Sequence, residues 1–167
     1  LNRAIYYLSL AANQNNSDAQ YLLGAIYFDE DIDKAFHYYT LAANQNNAQA
    51  QGYLGLIYIE IEHLRNINKG VHYLKLASDQ NNLEAQGYLG SLYYDSPYVE
   101  KDLNKSLYYL ELSANQGYPN SNHLLGEIYY YADYVKQDIN KAMKYFTISA
   151  NKMFDMSLSM LGIIYYK

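Results

Sequence analysis

Carboxylates crowd one short stretch, Asp29-Glu30-Asp31-Ile32-Asp33, in the alternating pattern that opens a calcium-binding loop. Such a loop needs a glycine at its sixth position for the sharp turn and a bidentate carboxylate at its twelfth. Lys34 and Thr40 stand there instead, so the run is expected to be a short capped loop. His37 and His72 could offer a surface metal pair, but no third ligand accompanies them, and equivalent positions of neighbouring helix pairs lie about 10 Å apart. Serines are frequent, yet none stands in the Gly-x-Ser-x-Gly elbow of a hydrolase. Asn15-Asn16-Ser17 matches a glycosylation acceptor, a match that Asn-rich sequence produces by chance. No catalytic residue is assigned, and neither a metal nor a cofactor is expected.

The composition narrows the remaining classes. Of the 167 residues, 50% are apolar and 17% charged, with a formal net charge of -5. That suffices for one globular unit or a short array. The 12 Lys and Arg are dispersed along the chain and form no basic stripe, so no nucleic-acid partner is expected. Without cysteine there is no disulfide framework and no thiolate metal site. No apolar run approaches the roughly 18 residues of a membrane span. The chain opens on Leu1 rather than Met, which reads as a piece of a longer chain whose targeting segment, if any, lies upstream.

What could position a site is set by repetition. AANQNN stands at 11–16 and again at 42–47, and ASDQNN at 77–82. Leu-Gly recurs at Gly24, Gly55, Gly90, Gly126 and Gly162, spaced 31, 35, 36 and 36 residues. Three residues after each glycine stands a tyrosine (Tyr27, Tyr58, Tyr93, Tyr129, Tyr165), and five before it a small residue (Ala19, Ala50, Ala85, Ser121, Ser157). A second motif runs in step: Arg3-Ala4, Lys34-Ala35, Lys69-Gly70, Lys105-Ser106 and Lys141-Ala142, with Tyr7, Tyr38, Tyr73, Tyr109 and Tyr145 three residues on. From the small residue of this motif to the next Leu-Gly glycine is always 20 residues, whereas the reverse step varies from 11 to 16. A fixed step implies a packed connection and a variable one a surface loop. Stacked supersecondary units follow.

Both halves read as helices. In DAQYLLGAIYF the apolar residues fall at helical spacing, and in DIDKAFHYYTLAANQ an Asp N-cap precedes a stripe of Ile32, Ala35, Tyr38, Tyr39, Ala42 and Ala43. The cap column is Asp31, Asn66, Asp102 and Asp138. The Asn-Gln-Asn-Asn phrase then punctuates the units, since Asn tolerates the left-handed conformation that ends a helix. A glycine inside a helix costs about 1 kcal/mol, so the glycine column is expected at a close helix crossing, facing the small Ala and Ser columns.

The pattern Ala-x4-Leu-Gly-x-x-Tyr followed by Asp-x-x-Lys-Ala-x-x-Tyr-x-x-x-Ala-Ala, at a period near 36, resembles the Sel1-like repeat, a relative of the tetratricopeptide repeat. The resemblance covers essentially the whole chain. It implies an all-α fold, a right-handed α-α superhelix or solenoid of about five antiparallel helix pairs with a half-repeat at each end. The approximate units are 1–16 (second helix alone), 17–47, 48–82, 83–118, 119–154 and 155–167 (first helix alone). The family usually has Gly-x-Gly-Val between paired helices. Here Ser96-Pro97-Tyr98-Val99 and Ala132-Asp133-Tyr134-Val135 replace it, so the family's loop geometry does not carry over and these tyrosines are expected to be exposed. A cysteine-rich branch of the family, linked to penicillin binding, is excluded by the lack of cysteine.

The resemblance implies an adaptor, a non-catalytic scaffold for protein–protein interaction, whose first helices line the inner groove. Columns that vary between copies mark the candidate groove residues: Tyr21, Tyr53, Leu56, Tyr88, Ser91, Tyr94, His123, Glu127 and Tyr130. Tyrosine suits such a surface because it offers a rigid ring and a hydroxyl at small entropic cost. The expected partner is a protein or peptide segment. The alternative is a glycan- or cell-wall-binding accessory module, since tyrosine-lined grooves stack on sugars. The apolar GIIYYK ending is expected to belong to a longer array or to a homodimer formed through the exposed end.

Overall fold

The structure is a computed structural model that describes residues 2–131, 135–152 and 154–166. Among these the chain is all-helical: α1 (Asn2–Asn13), α2 (Ser17–Tyr27), α3 (Ile32–Ala43), α4 (Ala48–Glu60), α5 (Ile67–Asp79), α6 (Leu83–Tyr94), α7 (Leu103–Asn115), α8 (Pro119–Tyr131), α9 (Ile139–Ala150) and α10 (Asp155–Tyr166). Two compact units divide it, Leu1–Asn82 and Leu83–Lys167. In the first, α2 packs chiefly on α3 and α4 on α5; in the second, α6 packs on α7 and α8 on α9. This is the all-α array of helix pairs that the periodicity predicts. The loop reading at Ala132-Asp133-Tyr134 lies outside the described residues.

Each letter of the repeated phrase has a separate task. Asn15, Asn46 and Asn81 have φ of 65°, 66° and 61°, and Gly117 takes the same place in the fourth copy with φ 83°. At each, two backbone bonds close a Schellman motif, as where Asn16 N donates to Ala11 O at 3.1 Å and Asn15 N to Ala12 O at 2.9 Å. The final Asn then begins the next helix. Asn16 Oδ1 accepts from Ala19 N at 2.8 Å and Asn47 Oδ1 from Ala50 N at 3.0 Å, a cap whose loss costs about 1 kcal/mol. One residue therefore ends one helix and starts the next, which explains why this connection never changes length. The second helices are capped by Asp31, Asn66, Asp102 and Asp138, each accepting from the backbone N–H three residues on.

The Gln of the phrase does something that repetition alone does not reveal. Gln45, Gln80 and Gln116 donate to the buried Gln20, Gln51 and Gln86 at 2.6, 2.7 and 2.7 Å. Gln20 and Gln51 donate in turn to Ala12 O and Ala43 O, at the end of the preceding second helix. The chains through Gln20 and Gln51 thus each fasten three successive helices. In the fourth copy the core amide is the shorter Asn122, which still donates to Ala114 O at 3.2 Å. Lys152 stands where the phrase would supply Gln, and Asn122 Oδ1 is left without a partner.

The glycine column sits at a close crossing, but what it meets differs from the expectation. A Cβ at Gly24 would lie 2.7 Å from the Tyr39 ring, at Gly55 2.8 Å from Leu74, at Gly90 2.5 Å from Leu110 and at Gly126 2.6 Å from Phe146. These large residues of the paired helix, each fully buried, fill the space instead of the Ala and Ser columns. At Gly55 the small second-helix residue Gly70 also enters the crossing, its carbonyl oxygen 3.0 Å from the added Cβ. The two tyrosine columns also meet. Tyr27 stacks on Tyr38, Tyr58 on Tyr73, Tyr93 on Tyr109 and Tyr129 on Tyr145, with centroids 5.9–6.0 Å apart and planes within 11°. Lys34, Lys69, Lys105 and Lys141 lie over the first ring of each pair, so the motif lysine, the glycine-side tyrosine and the lysine-side tyrosine form one packed sandwich in every copy.

Candidate functional site

The candidate groove residues divide between the two units. In the first, Tyr21 and Tyr53 of α2 and α4 join Phe28 and Tyr39 in a four-ring cluster. Tyr53 lies flat on Tyr39, with centroids 5.1 Å apart and planes 8° apart, while Tyr21 and Phe28 approach at 6.1 and 5.6 Å. Tyr39 is fully buried and Tyr53 is 37% exposed, so the outer ring is presented to solvent on a rigid aromatic floor. Leu56, one turn further along α4, is half-buried beside this surface.

The sequence does not mark Tyr39 as a member of this site, because its column reads Tyr39, Leu74, Leu110 and Phe146, an ordinary core column. Its hydroxyl is buried without a hydrogen-bond partner. Burial, with Tyr53, Tyr21 and Asp29 adding, raises the phenol above its ordinary value. An unsatisfied buried hydroxyl destabilises by about 1 to 3 kcal/mol. Tyr39→Phe is therefore expected to stabilise the fold by about 1 kcal/mol, read as a higher urea midpoint at unchanged slope.

In the second unit, Tyr88 is 43% exposed. With Ser91, Gly87, Tyr118, Asn120 and Ser121 it lines a cleft of about 40 Å³. Tyr94 is half-buried and has the Lys101 ammonium 4.9 Å from its ring centroid. Tyr130 lies in a separate, wide depression of about 630 Å³ with Tyr131, Gln137, Ile139, Ile163 and Ile164, so the structure does not bring it to the Tyr88 cleft.

His123 does not face outward. It is 6% exposed, packed against the Phe146 and Phe154 rings, and its Nδ1 is 2.8 Å from Ser157 Oγ on α10. Variation in its column (Tyr21, Gly52, Gly87, His123, Ser159) reflects packing rather than exposure, because the column approaches the following first helix. A Cβ at Gly87 would lie 2.8 Å from Ser121 Oγ, the same relation that His123 has to Ser157.

His123 Nε2 lies 3.6 Å from Glu127 Oε1, so Ser157, His123 and Glu127 form a row that superficially suggests a relay. Ser157 is fully buried, and no acyl group can reach its oxygen. Burial lowers the His123 pKa below its ordinary 6.5, and Glu127 opposes this. A lowered folded value means the unfolded chain binds the proton more readily, so stability present above about pH 6.5 is lost as the pH falls through that range. His123→Gln is expected to flatten the pH dependence of the denaturation midpoint between neutral pH and about pH 5. An unaltered slope would show that His123 is not the titrating group.

The observation that decides the family is a match of the Sel1 repeat to residues 1–16, 17–47, 48–82, 83–118 and 119–152. The chain belongs to the Sel1 repeat family. Among solved structures, this Sel1 array resembles c5321, a protective antigen of uropathogenic Escherichia coli displaying an SLR fold, at 30% identity and TM-score 0.86 over 95% of this chain and 36% of that one. It thus spans about a third of that antigen's length. A Sel1 repeat protein from Oxalobacter formigenes matches at 24% identity and TM-score 0.84, covering 96% of this chain and 75% of that one. The immunity protein Pa5087 of Pseudomonas aeruginosa shares the fold at 20% identity and TM-score 0.55, over 88% of this chain and 72% of its own. The sequence has no match among curated proteins.

Sel1 repeats generally serve as protein–protein interaction modules and non-catalytic scaffolds. Within this Sel1 array two carboxylates of the acidic run in the first loop have structural partners: Asp31 caps α3 and pairs with Lys34 at 3.0 Å, and Asp33 lies 3.0 Å from His63 Nε2. His37 and His72 pack edge-on against Tyr38 and Tyr73. Among the described residues no three His, Asp or Glu side chains gather as metal ligands, and no helix is long and apolar enough to cross a membrane. Tyr98, in the loop that departs from the family's Gly-x-Gly-Val, is 45% exposed.

Proposed function

We propose that this Sel1 array is a non-catalytic adaptor that holds a peptide or protein segment on the exposed tyrosines of its first helices. The observation that carries the reading is Tyr53, an exposed ring held flat on the buried Tyr39. A preordered aromatic ring loses little entropy on binding, which is why such rings dominate interface energetics. Tyr88, beside its small cleft in the second unit, supports the same role.

Panning a random peptide display library against the whole chain tests it. Peptides whose affinity falls by about tenfold or more in the Tyr53→Ala and Tyr88→Ala double variant, with circular dichroism unchanged, are the expected result. Peptides that bind the variant equally well would remove these faces from the interface. An empty peptide selection beside binding of soluble oligosaccharides in a parallel titration would make the array a glycan-binding module.

A further inference from the structure

The cations, dispersed along the sequence, are segregated by helix, whereas carboxylates lie on both kinds, Asp33, Asp79 and Glu111 standing on second helices. Among the described residues, the first helices α2, α4, α6, α8 and α10 carry Asp18, Glu60, Glu84, Glu127 and Asp155 and no lysine or arginine. Arg3, Lys34, Lys69, Lys75, Lys105, Lys141 and Lys144 all lie on second helices. Residues spaced by four, seven and eleven share a helix face. On α2 that stripe reads Asp18, Leu22, Ala25 and then Asp29; on α4, Gln49, Tyr53, Leu56 and Glu60; on α6, Glu84, Tyr88, Ser91 and then Asp95. All of these are exposed except Leu56, which is half-buried. Each stripe has a centre of apolar, aromatic or small residues and a carboxylate at its C-terminal edge.

Two cations approach these edges from loops, and both are engaged by the protein itself. Arg65 donates to the Ile59 and Glu60 carbonyls at 3.2 and 3.5 Å, and Lys101 covers Tyr94. A second observation lies beneath the α4 stripe. The fully buried Tyr39 carries a hydroxyl without a partner under the Tyr53 ring, within the electrostatic reach of Tyr53, Tyr21 and Asp29. The aromatic surface is therefore flanked by negative charge and floored by a stranded hydrogen-bond donor.

We propose, building on the adaptor reading, that the first-helix face of the Leu1–Asn82 unit takes a basic peptide segment, its lysine or arginine side chains laid against Tyr53 and drawn to Asp29 and Glu60. Charge complementarity selects this partner: the face has carboxylates and ring faces, both of which attract cations, and none of its own helices supplies a competing lysine or arginine. The stems of those side chains cover Leu22 and Leu56.

Fluorescence anisotropy on the whole chain with three synthetic peptides decides this. They share length and apolar content, and their variable positions hold Lys, Gln or Glu. The Lys peptide is expected to bind about tenfold or more tightly than the Gln peptide, and the advantage to shrink as salt shortens the screening length from about 30 Å to about 8 Å. Asp29→Asn with Glu60→Gln removes the advantage. Asp33→Asn with Asp79→Asn, an equal charge change on α3 and α5, leaves it. Equal loss in both double variants would overturn the proposal in favour of unspecific attraction to net charge. A preference for the Gln or Glu peptide that is lost in Tyr53→Ala would also overturn it while leaving the adaptor reading intact. Binding by none of the peptides, together with an empty display selection, would overturn both.

Discussion

Gly90→Leu is expected to lower Tm by about 10 °C, corresponding to about 3 kcal/mol or more for a chain of this size. The Cβ alone would lie 2.5 Å from Leu110 Cγ and 3.0 Å from the Leu110 backbone nitrogen. A flexible side chain could yield, but the backbone nitrogen belongs to the core of the paired helix, so α6 must move off α7. Because each repeat touches only its neighbours, the damage is local, and the melting transition should broaden as well as shift. The control is the same substitution class in the same column where the space is open. Gly162 has nothing within 4 Å, so Gly162→Ala should stabilise α10 by up to about 1 kcal/mol through helix propensity. Calorimetry on Gly90→Leu and Gly162→Ala checks both; a Gly90→Leu melt within error of the parent would show that the crossing can open without cost.

The second large effect concerns the amide chains. Gln51 is 2% exposed, donates to Ala43 O and Asn46 Oδ1, and accepts from Gln80 Nε2. Gln51→Leu keeps the volume but removes three hydrogen bonds at once, leaving Ala43 O its bond from Asn46 N and Gln80 Nε2 its bond to Leu76 O, a loss of about 1–3 kcal/mol. Gln80→Leu at the exposed end should cost less, and the double variant should be milder than the sum of the two by about 0.5–1.5 kcal/mol, since the pair removes donor and acceptor together. Urea denaturation of the four members of this cycle measures the coupling. Strict additivity would mean that the 2.7 Å contact contributes nothing beyond its parts.

Repetition made most of the fold legible. The N-cap column Asp31, Asn66, Asp102 and Asp138 and the left-handed Asn of the phrase could be read because each task admits few residue types. The partner of the glycine column could not, since Tyr39, Leu74, Leu110 and Phe146 differ in shape while sharing only apolar bulk. The burial of Gln20, Gln51 and Gln86 is hard to read from sequence because polar residues are ordinarily exposed. The signal was their fixed place one residue after the small column, in register with the Gln of the phrase. His123 shows the converse: variation between copies suggests exposure, yet a column packed between neighbouring first helices also varies, trading one side chain's bulk against another's. Of the candidate surface, Tyr53 and Tyr88 were legible as exposed aromatic positions, whereas the Tyr39 ring beneath Tyr53 depends on a contact between helices that no single stretch encodes.

The four tyrosine sandwiches also make the molecule report on itself optically. The chain has no tryptophan to drain tyrosine excitation, and near-parallel phenols 5.9–6.0 Å apart couple their transition dipoles strongly. Near-ultraviolet ellipticity and tyrosine emission anisotropy should therefore register the separation of each helix pair. Removing one pair by Tyr73→Phe would mute the α4–α5 contribution alone, so the order in which the repeats part could be followed without any attached dye.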